Sequence, residues 1–276
     1  MVSFTSILTA GLLATTALAV PHNMHMHRDL HKMQKRTSTK RGAAYNDVST
    51  VTTLAETGTI SWAYNWVFTT DTGLPSGVEY VPMLWGTSFF SGWLSAIETI
   101  LSSGSDYIMG FNEPDMASQA DMTPSEAAGY YMQYITPFSG SAKLISPAVT
   151  SSSTDGQGLS WFEEFMTDCS SCNITGLAVH WYGDSIDDLK TFVEDAVSTA
   201  TNYGLEEVWV TEFALNADVS GVVDQSTTAE FVTEAVAWLD AQSGVTRYSY
   251  FMCADNYLLT DGALNSVGSA YTSSSV

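Results

Sequence analysis

From residue 42 onward the hydrophobic positions alternate between two patterns. Short apolar and β-branched runs such as Leu177-Ala178-Val179 and Val208-Trp209-Val210 recur between longer stretches with helical spacing. Runs apolar on both faces suit parallel strands covered by helices. Strands are predicted over 42–46, 59–66, 78–85, 107–113, 143–150, 176–181, 207–213 and 247–253. Helices are predicted over 93–101, 124–134, 161–166, 186–203 and 228–240. Thr123-Pro124-Ser125-Glu126 reads as a capping residue, a proline at the first helical position and an acid in the first turn. Ser185 before Asp187 and Asp188 reads likewise, and Gly140, Gly204 and Gly244 fall where helices end. No linker interrupts the alternation, and no G-x-G-x-x-G follows an early strand, so an open dinucleotide-binding sheet loses its main support. The expected fold class is α/β, with residues 42–276 as a single (β/α)8 TIM barrel.

Residues 1–41 have a different character. An apolar run from Ile7 to Ala19 is too short to span a bilayer and ends in Ala17-Leu18-Ala19, so 1–19 reads as a signal peptide. Residues 20–41 hold His22, His25, His27 and His31 among Met and basic residues, and close in Lys35-Arg36 and Lys40-Arg41. Without apolar periodicity, and ending in dibasic pairs, this stretch reads as a removable pro-segment rather than a metal site.

Charge narrows the partners. Beyond residue 41 only Lys143, Lys190 and Arg247 are basic, against 29 acids (30 less Asp29), a formal charge of −26 for that region. Nucleic acid and anionic membranes are therefore excluded as expected partners. A neutral substrate and a secreted, extracellular monomer, free or associated with a cell wall, are expected. Cys169 and Cys172 are spaced to close a small disulfide loop in an oxidising compartment, leaving Cys253 as a buried thiol. Asn173-Ile174-Thr175 is a glycosylation acceptor triplet, which places Asn173 on a surface loop.

Two strand ends carry the candidate chemistry. Gly110-Phe111-Asn112-Glu113-Pro114-Asp115 and Trp209-Val210-Thr211-Glu212-Phe213 each deliver a glutamate from an apolar run. In a barrel both lie at the C-terminal ends of strands, where such enzymes keep their sites. Two carboxylates on different strands are the minimum apparatus for hydrolysing a glycosidic bond. With so few basic residues, salt-bridge partners for these acids are scarce. Aromatic and polar residues cluster at the other strand ends: Trp62, Tyr64, Asn65, Trp66, Trp85, His180, Trp181, Tyr182, Tyr250 and Phe251. Flat aromatic faces stack on pyranose rings, while amide, imidazole and phenol groups bond the hydroxyls. His180 is the only histidine beyond residue 41, with no second His or Cys near it to suggest a metal. No metal and no cofactor is expected, and a Ser-His-Asp hydrolase is set aside for want of a nucleophile elbow.

These motifs together resemble the fungal β-1,3-glucanase-type proteins of glycoside hydrolase family 128. The matching pieces are Gly110 to Asp115, Gln119 to Pro124, Ser146-Pro147-Ala148, Cys169 with Cys172, His180-Trp181-Tyr182-Gly183 and Trp209 to Phe213. The resemblance implies that Glu113 is the general acid/base, Glu212 the nucleophile, and Asn112 the residue that bonds the sugar 2-hydroxyl. It implies a retaining double displacement on β-1,3-glucan. The chain departs from its relatives in the last strand, where Tyr250 stands at about the position of a frequent Trp. The alternatives are a non-hydrolytic glucan-binding wall protein on the same barrel, or a hydrolase of another β-linked polysaccharide. A purely structural wall protein would tolerate substitution of both acids.

Overall fold

The computed structural model describes residues 39–69, 73–221 and 224–273. The expected signal peptide (1–19) and residues 20–38 of the expected pro-segment lie outside the described residues. The elements run β1 (Gly42–Ala44), α1 (Val48–Ala55), β2 (Trp62–Tyr64), β3 (Glu79–Tyr80), α2 (Trp93–Ser102), β4 (Tyr107–Met109), α3 (Pro124–Tyr134), β5 (Lys143–Val149), α4 (Gly158–Asp168), β6 (Ile174–Gly183), α5 (Ile186–Asn202), β7 (Glu207–Leu215), α6 (Asn216–Val219), α7 (Gln225–Ala241) and β8 (Val245–Tyr250). A short antiparallel pair, β9 (Leu259–Thr260) and β10 (Ala263–Leu264), precedes α8 (Ser266–Tyr271). The eight predicted strands are all present, in order, though β1 to β4 are shorter than their hydrophobic runs. Helix α1 has no counterpart in the sequence reading, and among the described residues no helix separates β2 from β3.

This is an α/β fold built on a curled parallel sheet. Strands β1-β2-β3 form one parallel group and β4-β5-β6-β7-β8 the other. Parallel bridges Met83–Met109 and Arg41–Tyr248 join the two groups at both edges. The helix starts follow their sequence signals. Thr123 and Glu126 close a reciprocal capping box on α3, and the Ser185 hydroxyl accepts from the Asp188 N–H at the start of α5.

Strand alternation sorts the side chains into two cores. One face gathers Ala44, Trp62, Tyr64, Met83, Met109, Ile145, Ala178 and Trp209 on the inside of the curl. The other gathers Val179, Trp181, Val210 and Phe213 with the apolar faces of α5 and α7. Arg247 fills the inner face near the strand starts. Its guanidinium lies 4.3 Å from the Tyr107 ring centroid and 4.5 Å from that of Trp209, and pairs with Glu79 at 2.7 Å. Lys40 and Arg41, which the sequence assigns to the end of the pro-segment, are built into this sheet. The Tyr248 N–H donates to the Lys40 carbonyl at 2.9 Å, and buried Arg41 pairs with Asp240 at 2.6 Å. The Cys169–Cys172 disulfide is formed after α4, with Cα atoms 5.2 Å apart. Cys253 is a buried thiol, its pKa pushed up to about 12 by burial. Asn173 is exposed, with a left-handed φ of 58°.

Candidate active site

Both glutamates reach one cleft because the backbone departs from regular strand geometry at each of them. At Gly110 an added Cβ would lie 2.7 Å from the Pro147 nitrogen, so only glycine lets β4 and β5 approach this closely. The chain then continues through Asn112 N–H to the Trp85 carbonyl (2.9 Å) and Glu113 N–H to the Ala148 carbonyl (2.8 Å). These bonds hold Glu113 at a φ of 43°, a left-handed conformation that costs on the order of 1–3 kcal/mol for a side-chain-bearing residue. On the other strand, Val179 pairs with Val210 but His180 pairs with Glu212, so Thr211 is the extra residue of a bulge. Trp209 faces the inner core, and simple alternation would send Glu212 outward toward the helices. The bulge turns it inward beside His180.

The His180 Nδ1 lies 2.8 Å from Glu113 Oε1 and 3.3 Å from Glu212 Oε2, and one ring nitrogen or carboxylate oxygen from each of the three lies within 4.8 Å of the others. Glu212 accepts from the Trp66 indole N–H at 2.7 Å and the Tyr64 hydroxyl at 3.4 Å on Oε1, and from the Tyr182 hydroxyl on Oε2. Three fixed donors thus converge on this one oxygen pair. Burial, reinforced by Glu212, raises the pKa of both Tyr64 and Tyr182, so they remain proton donors. For His180, burial disfavours the charged ring, but Glu212, Glu113 and Asp115 outweigh it and raise its pKa. Neither Glu113 nor Glu212 pairs with a lysine or arginine among the described residues. Lys143 is held by Glu207, Lys190 by Glu234 and Arg247 by Glu79.

Donor spacing alone would let Glu113, His180 and Glu212 hold a cation. A ligating histidine, however, donates its second ring N–H to an outer partner, and His180 Nε2 is buried without one. The trio fits a pair of carboxylates bridged by an imidazole better than a metal centre.

The cleft, about 470 Å³, is lined by Trp66, Trp85, Asn112, Glu113, Gln119, Tyr182, Glu212, Val219, Phe251 and Tyr257. Of the sequence candidates, it therefore gathers Trp66, Trp85, Asn112, Glu113, Tyr182, Glu212 and Phe251, with His180 and Tyr64 touching the carboxylates from below. Four candidates lie elsewhere. Trp62 shares the inner face with Tyr64 and Trp66 but sits deepest, its indole N–H on the Lys40 carbonyl at 3.0 Å. Trp181 alternates outward between His180 and Tyr182 and stacks on Phe231 of α7 with centroids 5.7 Å apart. Tyr250 also faces outward, opposite Phe213, and donates to Asp218 at 2.6 Å. Asn65 ties its own loop, donating to the Thr69 carbonyl and accepting from the Tyr80 hydroxyl. Gln119, Val219 and Tyr257 line the cleft without having been singled out as site residues. Gln119 and Tyr257 come from loops after β4 and β8 and Val219 from the short α6 after β7. Gln119 falls in the Gln119 to Pro124 motif, while no period or motif marks the other two.

The glycosyl hydrolase catalytic core family model matches residues 42–271. Among solved structures, the chain is similar to a glycoside hydrolase family 128 (subgroup III) curdlan-specific exo-β-1,3-glucanase from Blastomyces gilchristii, in complex with glucose. That match has 42% identity and a TM-score of 0.78, covering 84% of this chain and 97% of the other. It is also similar to a subgroup I endo-β-1,3-glucanase from Amycolatopsis mediterranei in complex with laminaritriose, with 27% identity and a TM-score of 0.70, covering 85% and 98% of the two chains. Alkali-sensitive linkage protein 1 of Schizosaccharomyces pombe is 34% identical over 229 residues, which are 78% of this chain and 40% of that protein. The chain thus spans less than half the length of that curated relative.

Proposed function

Since the chain belongs to the glycosyl hydrolase catalytic core family, and within it to glycoside hydrolase family 128, we propose that it cleaves β-1,3-glucan by a retaining double displacement. The curled sheet, joined at both edges by parallel bridges, is read as a closed (β/α)8 barrel with the cleft at the C-terminal ends of its strands. Glu212 attacks the anomeric carbon while Glu113 gives its proton to the departing glycosidic oxygen. Water then enters, Glu113 takes its proton, and the sugar leaves Glu212 with its configuration retained.

The observation that carries this reading is the meeting of Glu113 and Glu212 in one cleft, their nearest oxygens within 4.8 Å. Retaining enzymes hold their carboxyls about 5–5.5 Å apart, whereas inversion needs roughly 6.5–9.5 Å to admit a water. Trp66, Trp85 and Phe251 supply the apolar faces that a glucosyl ring requires. Solved relatives bound to glucose and laminaritriose support the substrate class. Secretion is part of the proposal and rests on the leader-like run at 7–19 and the strongly acidic composition.

The test is reducing-end release from a β-1,3-glucan, with product anomers followed by NMR. Wild type releases sugars first as the β-anomer. Glu212→Ala loses on the order of 10⁴-fold or more in rate while laminari-oligosaccharides still bind. Binding by wild type with no release identifies a non-hydrolytic glucan receptor instead, and first-formed α-anomer overturns the retaining mechanism.

A further inference from the structure

Asn112 precedes the general acid, and its side-chain environment is lopsided. Its backbone is fixed on both sides, through its N–H to Trp85 and through its carbonyl, which accepts from the Ala120 N–H at 3.2 Å. Its side-chain Nδ2 donates to Gln119 Oε1 at 3.3 Å, and its Oδ1 is buried with no partner. An amide can present two nearly isosteric flips, and so can its one side-chain neighbour, Gln119: the pair is joined by Nδ2 to Oε1, or by Nε2 to Oδ1 when both amides turn over. Turning over Asn112 alone would set oxygen on oxygen, so the two amides are coupled.

Gln119 is carried back over Asn112 by a tight turn that starts at the general acid itself. Met116 N–H donates to the Glu113 carbonyl at 3.0 Å, Gln119 N–H to the Met116 carbonyl at 3.0 Å, and Ala120 N–H to the Asn112 carbonyl. Gln119 lines the same cleft as Asn112 and Glu113, and within the described residues its side chain bonds only to Asn112.

We infer that Gln119 is a positioning residue of the hydrolytic site, one that holds the Asn112 side-chain amide in place beside the scissile bond. The inference rests on the proposed glucanase activity. One edge of the amide is taken by Gln119, and its remaining hydrogen-bonding capacity is thereby held for a hydroxyl of the bound glucosyl unit. A polar group fixed before substrate arrives costs no reorganisation during reaction, so losing the pairing lowers kcat more than it raises KM.

A double-mutant cycle tests this, with Gln119→Leu, Asn112→Ala and the combination assayed on laminari-oligosaccharides alongside wild type. Gln119→Leu is expected to lose roughly tenfold in kcat/KM, mostly in kcat, the size of one hydrogen bond's net contribution. In the Asn112→Ala background the same change should cost less than twofold, because the group it orders is gone. Thermal unfolding of Gln119→Leu should stay close to wild type. Full additivity of the two losses, or activity of Gln119→Leu within twofold of wild type, overturns the inference. An inactive wild type would overturn the glucanase reading itself, so the two failures are distinguishable.

Discussion

At the scale of single residues, His180 is the group whose charge is most tightly tied to its surroundings. It is fully buried, yet one ring nitrogen faces two carboxylates, and those carboxylates with Asp115 outweigh the desolvation that would keep it neutral. A folded-state pKa raised above the unfolded value, about 6.5, contributes stability that is fully present below that value. The contribution disappears as pH rises through the folded pKa. Wild type should therefore lose stability through the neutral to mildly alkaline range, and His180→Asn should lack that particular decline. The check is melting temperature against pH for both proteins. No other histidine lies among the described residues to confuse the comparison, and parallel profiles would refute the argument.

At the scale of elements, position along a strand decided which candidates reach the cleft. Trp62, Tyr64 and Trp66 share one face at period two, and only the last is high enough to line the opening. The eight strands, the α3 capping box and both glutamates were legible because each is written in local pattern: apolar runs, a Thr-Pro-Ser-Glu start, an acid ending a run. The bulge at Thr211 was not, since one unpaired residue is defined by its partner strand and leaves no mark on its own sequence. For the same reason Trp181 and Tyr250 were misplaced: adjacent residues on a strand take opposite faces, and clustering at a strand end does not say which. The close approach at Gly110 is a second feature of pairing rather than of propensity. Gly110→Ala would drive a methyl into the Ser146–Pro147 backbone, and overpacking of this kind costs about 1–3 kcal/mol. Because Glu113 lies three residues on, activity should fall further than the stability change explains, read as kcat of the still-folded fraction at a temperature well below the melt. Unaltered kcat and melting temperature together would show that the two strands can part without consequence.

At the scale of the molecule, the few cations are spent on construction rather than on the cleft. Lys143 and Arg247 brace the strand starts, and Lys40 with Arg41 clasps the seam between β1 and β8. The Lys40 ammonium caps the end of α7, donating to the Leu239, Asp240 and Gln242 carbonyls, where cations complement the helix dipole. Arg41 donates to the Tyr248 hydroxyl, the Tyr271 and Ser273 carbonyls and the Asp240 carboxylate. A basic pair fixed this way cannot extend into a protease cleft, although its sequence is that of a processing site. Limited trypsin digestion of the native protein should accordingly yield a core that still carries Lys40 and Arg41, read by intact mass. Removing the guanidinium takes its charge and hydrogen bond from Asp240 and its donors from the Tyr271 and Ser273 carbonyls. Arg41→Met should therefore cost about 3 kcal/mol, the low end for breaking a buried pair, and lower the melting temperature by roughly 6–12 °C in a domain of this size. The cleft is lined by residues at the far ends of the strands, Trp66, Tyr182, Glu212 and Phe251 among them, so kcat at a temperature well below the melt should hold. A trypsin product starting at Gly42 that melts like the uncut protein would show that the seam closes without its two basic residues.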